Sequence, residues 1–161
     1  MDLSKFTDLS DDARAWVYIF EKPLSEEDLD SVEDKLTRFM ESWNCHGASV
    51  RGAWHCFENK ILIIAGESTD GMSGCSIDSS VRVLKELKTE GIDALNIANV
   101  HYRTADEILT IGRTAFANLC NSGSITDETI VFDISSVTRV GQLRETGIEK
   151  EFRSSWHAQA F

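Results

Sequence analysis

Two short runs of the chain are apolar at every position, and they constrain the fold more than any other feature. Trp16 to Phe20 reads WVYIF, and Ile61 to Ala65 reads ILIIA. Short runs rich in β-branched and aromatic residues are typical of strands that are covered on both faces. The sequence therefore predicts a sheet in which these runs form the central strands.

The first of these runs belongs to a strand over Arg14 to Phe20 that is followed by a helix. Ser25 and Asp28 form a capping-box pattern, and apolar residues then recur at spacings of three and four. This pattern predicts a first helix that ends near Trp43.

The second run belongs to a hairpin. Val50 to Phe57 and Lys60 to Ala65 are strand-like, and the pair Glu58-Asn59 between them suits a tight turn. A second helical pattern follows and stops at Gly91, after which Ile97 to Tyr102 predicts a fourth strand.

The resulting order, β-α-β-β-α-β, predicts an α+β fold of the ferredoxin-like type with an antiparallel sheet in the order 4-1-3-2. This order makes strands 1 and 3 central, in agreement with their apolar runs. A chain of 161 residues suits a single domain, with residues 14–103 as the ferredoxin-like core.

Residues 104–161 predict a C-terminal extension. Thr104 and Glu107 form another capping-box pattern before a helix that stops at Gly123, and Thr129 to Ile134 resembles a fifth strand. Two helices cover only one face of the sheet, so we expect this extension to cover the other. A homodimer through that sheet face is the alternative explanation.

The charge balance restricts the partners. The formal net charge is -11, and no long Lys/Arg run is present, so we expect neither nucleic acid nor an anionic membrane as a partner. A basic partner protein fits this balance. The N-terminal residues lack the pattern of a signal peptide, and the four cysteines lack C-x-x-C pairing, so we expect a cytoplasmic protein with free thiols.

The loop from Glu67 to Asp78 holds the candidate chemistry. Small polar residues and glycines lead there into the second helix, whose N-terminal N–H groups can hold an anion or lower the pKa of the Cys75 thiol. The alternative is that Ser73 or Ser76 only caps the helix, with Cys75 buried as a small apolar group.

The expected topology brings further residues to this edge. His46 would share it, so that Cys75 is a candidate nucleophile and His46 its base, although a surface histidine beside a thiol is also ordinary. The residues expected to bind a small anionic ligand are Ser73, Gly74, Ser76, Asp78, His101 and Arg103.

Several classes of site are not supported. C-x5-R fails because Val81 stands where the arginine is required, and G-x-x-x-x-G-K-[ST] does not occur. The pairs Cys45-His46 and His55-Cys56 lie too far apart along the expected strand for one zinc ion. We therefore expect no metal and no cofactor. Three of the four tryptophans are expected in the core, and Trp156 is the candidate surface contact.

Four motifs resemble an uncharacterised bacterial family, seen in Bacteroidetes and green sulfur bacteria, whose members are often labelled ABC transporter ATPases. They are Trp43-Asn-Cys-His-Gly47, Ser73-Gly-Cys-Ser-Ile-Asp78, Thr129-Ile-Val-Phe-Asp133 and Ser155-Trp-His157. The resemblance implies no established activity. Without a phosphate-binding loop the ATPase label conflicts with the residues, so we do not expect an ATPase.

The segment from Asp106 to Asp133 is also similar to half of the bacterial GYF-like modules, which implies a protein-binding element. The similarity rests on Gly123, Ile125, Thr129 and Val131. Since no complete catalytic motif is present, the sequence favours a non-catalytic binding or interaction protein. The alternative is an anion-binding enzyme that uses Cys75 and His46.

Overall fold

The computed structural model describes residues 1–45, 47–69, 71–72 and 74–161, and for residues 74–77 it describes the helical backbone but not the side chains. The fold mixes α-helices with antiparallel sheets, as the sequence predicts. The helices are α1 Glu26–Ser42, α2 Gly74–Thr89, α3 Arg113–Asn121, α4 Val140–Glu145 and α5 His157–Ala160, with short 3-10 helices at Ser4–Phe6 and Phe152–Ser154. The strands are β1 Arg14–Ile19, β2 Asn44–Cys45, β3 Ala48–Ser49, β4 Arg51–Phe57, β5 Ile61–Glu67, β6 Asn99–Arg103, β7 Ile108–Gly112, β8 Ile130–Phe132 and β9 Glu149–Glu151.

The chain divides into two compact units. The first contains Met1–Leu95 and Val137–Gly147, and the second contains Asn96–Ser136 and Ile148–Phe161. The division therefore precedes β6, which the sequence analysis placed in the ferredoxin-like core.

The main sheet of the first unit has three antiparallel strands in the order β1-β5-β4. β5 is central, and its residues from Ile61 to Gly66 are buried on both faces. β1 was predicted to be central, and this is wrong: it lies at one edge of the three-stranded sheet, where buried residues alternate with half-buried ones. The mutual order of the first three predicted strands is thus correct.

The place predicted for the fourth strand is wrong. β6 does not pair with β1 but belongs to a four-stranded sheet in the order β7-β6-β8-β9. Beside β1, the Ala15 N–H instead donates to the carbonyl oxygen of Thr138 at 3.0 Å. The sheet order therefore differs from 4-1-3-2, because β6 pairs with β7, the strand that immediately follows it along the chain, rather than with β1.

The antiparallel hairpin of β6 and β7 also explains why the helix predicted after Thr104 begins later than expected. The Glu107 N–H donates to the Thr104 hydroxyl at 3.2 Å, and the Thr104 N–H donates to the Glu107 carbonyl at 2.9 Å. These bonds close the β6-β7 turn instead of capping a helix, and α3 begins only at Arg113. Its predicted stop is confirmed by the left-handed backbone of Gly123, at φ 75°.

Helices α1 and α2 form as the sequence predicts. The Ser25 hydroxyl accepts from the Asp28 N–H at 3.2 Å, and the Asp28 carboxylate accepts from the Ser25 N–H at 2.9 Å, which completes the capping box. Gly91, at φ 88°, ends α2. The buried core of this face consists of Phe20, Leu24, Val32, Leu36, Trp43, Cys45, Val50, Leu62, Ile64, Val83, Leu84, Leu87 and Ile92.

The opposite face of the sheet is also buried at Val17, Ile61 and Ile63. Within the first unit, the N-terminal segment and the returning segment Val137–Gly147 are joined by hydrogen bonds. The Arg144 guanidinium donates to the carbonyl oxygens of Phe6 and Leu9, each at 2.9 Å. A part of the predicted C-terminal extension therefore does belong with the first sheet.

The second unit has its own core. Val100, Phe116, Ile125 and Val131 are buried together, and β8 confirms the predicted fifth strand. Phe152 and Phe161 pack on Phe116 with ring centroids at 6.1 and 5.0 Å. The aromatic residues of the C-terminal region are thus part of this core, whereas Trp156 remains 37% exposed, as expected for a surface residue.

Candidate functional site

The predicted catalytic pair lies outside the described residues. His46 and Ser73 are not described, and the side chains of Cys75 and Ser76 are not described either. Gly74 is the first residue of α2, so this helix does begin where the anion site was expected. The pairing of Cys75 with His46 stays a prediction.

The remaining predicted ligand-binding residues lie on different elements. Asp78 is exposed on α2 in the first unit. His101 is buried in β6 of the second unit, where its Nδ1 lies 3.0 Å from the Thr110 hydroxyl, and Arg103 forms an ion pair with Glu149. Since β6 does not pair with β1, the sheet order no longer supplies the reason for grouping them with Cys75.

The described cysteines are free thiols in apolar or hydrogen-bonded surroundings. The Cys45 thiol donates to the Gly71 carbonyl oxygen at 3.3 Å. Burial raises the pKa of the Cys56 thiol to about 11, so it is protonated at neutral pH. In the described part of the chain, no cluster of His, Cys, Asp and Glu side chains is arranged to hold a metal ion.

The outer edge of β4 has a backbone arrangement that the side-chain motifs did not reveal. The Phe57 carbonyl accepts from the Lys60 N–H at 2.9 Å, so the backbone groups of Phe57 face β5. In an antiparallel pair this direction alternates along the strand. The N–H and C=O groups of Gly52, Trp54 and Cys56 therefore face away from β5.

One end of this edge is closed and the rest is open. The Val50 N–H has the same outward direction and donates to the Trp43 carbonyl oxygen at 3.0 Å. For Gly52, Trp54 and Cys56, the described residues supply no partner to the outward backbone groups. Within the part of the chain that the structure describes, three donors and three acceptors of this strand therefore have no hydrogen-bond partner.

The part of this edge formed by Trp54 and Cys56 lies along a groove of about 450 Å³. Leu29 and Glu33 of α1 form one wall, and Lys5 from the N-terminal 3-10 helix lies on the other side. The part of the groove contributed by β4 and its turn consists of Trp54, His55, Cys56 and Asn59. A second strand can approach β4 between these walls.

The side chains of β4 present different surfaces on its two faces. Trp54 and Cys56 pack against the core beneath α1, while His55 points to the other face and contacts Phe57 edge to face, with ring centroids 4.5 Å apart. An added strand would therefore place alternate side chains against an apolar surface and a polar one.

The helical wall of the groove is acidic. α1 carries seven carboxylates and two basic residues, and Asp30 and Glu26 lie one and two turns before Glu33 on the same face. All three are exposed. This wall therefore favours positively charged side chains.

The sequence predicted that β4 is an edge strand, but not which of its residues face outward. That direction depends on the register of the β4-β5 turn, where Glu58 and Asn59 both adopt left-handed backbone conformations at φ 50° and 51°. Only the observed hydrogen bond between Lys60 and Phe57 assigns the two directions.

Comparison with protein-family models, with curated proteins and with solved structures finds no match to this chain. The resemblances stated from the sequence motifs therefore stay predictions. Among the described residues, no helix combines the length and the apolar character needed to cross a membrane.

Proposed function

We propose that this chain is a non-catalytic interaction protein that binds an extended, basic segment of a partner protein along the outer edge of β4. The observation that carries this proposal is the row of outward backbone groups at Gly52, Trp54 and Cys56, which have no partner among the described residues and of which Trp54 and Cys56 line a groove. Strand addition to such an edge is an established mode of peptide recognition.

The hydrogen-bonding pattern defines the ligand's backbone. In an antiparallel partner strand, the residues opposite Trp54 and Cys56 lie two positions apart. Each of them donates its N–H to the β4 residue that it faces and accepts a hydrogen bond from the N–H of that residue. Each such bond contributes about 1 kcal/mol net, so backbone pairing, together with lysine side chains whose aliphatic stems pack on Leu29 and whose ammonium groups reach Glu33, gives a dissociation constant on the order of 10 μM. This affinity suits a reversible interaction.

Charge favours a basic partner over a second copy of the chain. Pairing two β4 edges would bring two acidic α1 helices together, and each chain carries a net charge of -11. Like charges at an interface oppose association. Lysine or arginine side chains on the α1 side of the added strand would instead meet Glu33 and Asp30.

This function is consistent with a cytoplasmic location, which we also propose. Cys45, Cys56 and Cys120 are free thiols, and a reducing compartment maintains thiols. The raised pKa of Cys56 keeps its thiol unreactive beside the proposed ligand.

The direct test is binding of a labelled peptide of about ten residues that alternates Val and Lys, followed by fluorescence anisotropy. Two matched peptides carry Glu in place of Lys, or N-methyl groups on alternate backbone nitrogens. We expect the Glu peptide to bind at least about tenfold more weakly. We expect N-methylation in the register that faces β4 to weaken binding by a similar factor, because it removes the N–H donors.

A protein variant tests the same edge. Cys56→Pro removes an outward N–H without removing a β4-β5 bond, and proline is tolerated at such edge positions. Cys56→Ala is the matched control for the lost thiol. We expect Cys56→Ala to bind the Val/Lys peptide nearly as the native protein does, and Cys56→Pro to bind about tenfold more weakly.

Two outcomes would overturn the proposal. One is equal binding of the Val/Lys peptide and its N-methylated forms in both registers, which tests the backbone bonds without altering the protein. The other is a concentration-dependent self-association that Cys56→Pro abolishes in sedimentation experiments, since the edge would then serve a second copy of the chain.

A further inference from the structure

A second groove of the first unit lies between α1 and α2, and its lining differs in character from the β4 edge. It has a volume of about 430 Å³. Phe39, Trp43 and Val83 contribute its apolar surface, and Lys35, Arg38 and Arg82 contribute its positive charges. In a chain with a net charge of -11, three cationic side chains around one aromatic groove are unusual.

The three cations differ in how firmly they are held. The Lys35 ammonium forms an ion pair with Glu90 at 2.8 Å, and Glu90 also accepts from the Ser31 hydroxyl at 2.6 Å. Lys35 is therefore engaged within the fold, and it contributes a fixed charge rather than a free one.

Arg38 and Arg82 are more available. Arg38 pairs with Asp34 one turn earlier at 2.8 Å, but their side chains are 75% and 53% exposed, so this pair contributes little. Arg82 forms no ion pair with any residue that the structure describes. Glu86 also lines the groove and is its one acidic group. The unpaired charge at the groove is therefore that of Arg82.

Trp43 gives the groove a second feature, a buried hydrogen-bond donor, which is independent of the arginine charges. Its side chain is only 3% exposed, yet its indole Nε1–H has no acceptor among the described residues. The ring is held against Phe39 with centroids 4.7 Å apart and lies over Gly52 and Gly66. A buried donor without an acceptor costs about 1 to 3 kcal/mol, which an acceptor atom on a bound molecule would recover.

We propose that the α1-α2 groove binds a small aromatic anion, in which a planar ring rests against Phe39 and Trp43 and a carboxylate or phosphate group pairs with Arg82 and Arg38. Arginine suits both anions because its planar guanidinium donates two parallel hydrogen bonds. Ser42, Asn44 and Ser79 also line the groove, and Trp43 adds an indole N–H that an oxygen of the same molecule reaches through a small movement of the ring, because the nitrogen is buried. This site is independent of the β4 edge.

Indole N–H resonances provide a direct readout by ¹H–¹⁵N NMR. The chain has four tryptophans, and Trp43→Phe identifies the resonance of Trp43 while keeping an aromatic ring there. The probes are benzoate and phenyl phosphate, with benzylamine as a cationic control of similar size and inorganic phosphate as a control without a ring. We expect a saturable shift of the Trp43 indole resonance with a dissociation constant on the order of 1 mM for at least one aromatic anion.

The variants separate the proposed contacts. Arg82→Gln should raise that dissociation constant about tenfold, whereas Lys85→Gln, which removes an exposed charge of α2 outside the groove, should change it less than about twofold. Trp43→Phe should weaken binding several-fold because the N–H donor is absent. Cys56→Pro should have no effect, which distinguishes this site from the β4 edge.

The controls also show which part of the ligand is recognised. An equal response to inorganic phosphate would mean that the ring contributes nothing, and an equal response to benzylamine would mean that charge contributes nothing. Either result, the absence of a saturable shift with both aromatic anions up to about 10 mM, or unchanged affinity in Arg82→Gln would overturn the proposal.

Discussion

The indole ring of Trp43 lies so close to Gly66 that a Cβ atom at residue 66 would be 2.8 Å from two atoms of the ring. Val50 confines the same position, with its Cγ1 at 2.9 Å. The absence of a side chain on β5 at this point is therefore what allows the indole to approach the sheet so closely. Gly52 on β4, opposite Gly66 in the register, has the same relationship to Trp43.

Gly66→Ala should lower the free energy of unfolding by about 1 to 3 kcal/mol, because Trp43 must move within a closely packed core. The measurement is chemical denaturation followed by tryptophan fluorescence. Gly112→Ala is the control, since nothing lies within 4 Å of its added Cβ and its φ of -69° suits alanine. It should change the stability by less than about 0.5 kcal/mol. An equal effect of both substitutions would contradict this account.

His157 should make the stability of the second unit depend on pH. Burial lowers the pKa of His157 to about 4, with Arg113 adding to this effect and Asp133 opposing it. The unfolded chain therefore binds a proton near pH 6.5 that the folded chain does not accept until about pH 4. Stability is complete above pH 6.5 and is lost as the pH falls through this interval, by about 1.4 kcal/mol per pH unit.

The check is the unfolding free energy of the native protein and of His157→Gln at pH 7 and pH 4. The loss on acidification should be about 3 kcal/mol smaller in the variant. A direct NMR titration of the His157 ring should give a pKa of about 4 in the folded protein, well below the usual histidine value of 6.5. Identical pH profiles of the two proteins would contradict the assigned burial.

Asp133 should be the most costly carboxylate to neutralise in the second unit. It is 3% exposed, and its carboxylate accepts from Lys150 Nζ at 3.0 Å and from the Ser136 N–H at 3.2 Å. Burial raises the pKa of Asp133, but these hydrogen bonds outweigh it and the net pKa is lowered. The stabilisation that ionised Asp133 gives the folded protein is therefore fully present above the usual pKa of an aspartate. It is lost as the pH falls towards the lowered pKa of Asp133 in the folded protein.

Asp133→Asn should destabilise the protein by about 2 kcal/mol at pH 7, because Lys150 loses its counterion while remaining partly buried. Asp106→Asn, an exposed change of the same chemistry, should change the stability by less than about 0.5 kcal/mol. Thermal or chemical unfolding of the two variants measures both. The prediction fails if the Asp106 and Asp133 variants are equally stable.

Two capping-box patterns in the sequence form different local structures. Ser25 with Asp28 caps a helix, whereas Thr104 with Glu107 closes a hairpin turn. The apolar spacing after Ser25 continues for several helical turns, but Thr104 is followed by Ile108–Gly112, a segment that pairs with β6. A hydroxyl can accept the same N–H in either setting, so the pairing strand decides the structure.

The β1-β5-β4 order could be predicted because burial on both faces leaves an apolar run in the central strand. The position of β6 could not, since Asn99 and His101 suit either of two sheets. The outer edge of β4 could be predicted only in part. β4 was predicted at an edge from its mixed composition, but its free backbone groups carry no side-chain signal, and only the hydrogen bond from Lys60 to Phe57 assigns them.

The most direct test of the central claim is amide hydrogen exchange in the free, dilute protein, measured residue by residue along β4. The account predicts slow exchange at Ala53 and His55, whose N–H groups face β5, and exchange at least about a hundredfold faster at Trp54 and Cys56. Equal protection at all four amides would show that the outer edge of β4 is already paired within the chain, and would contradict the proposed binding edge.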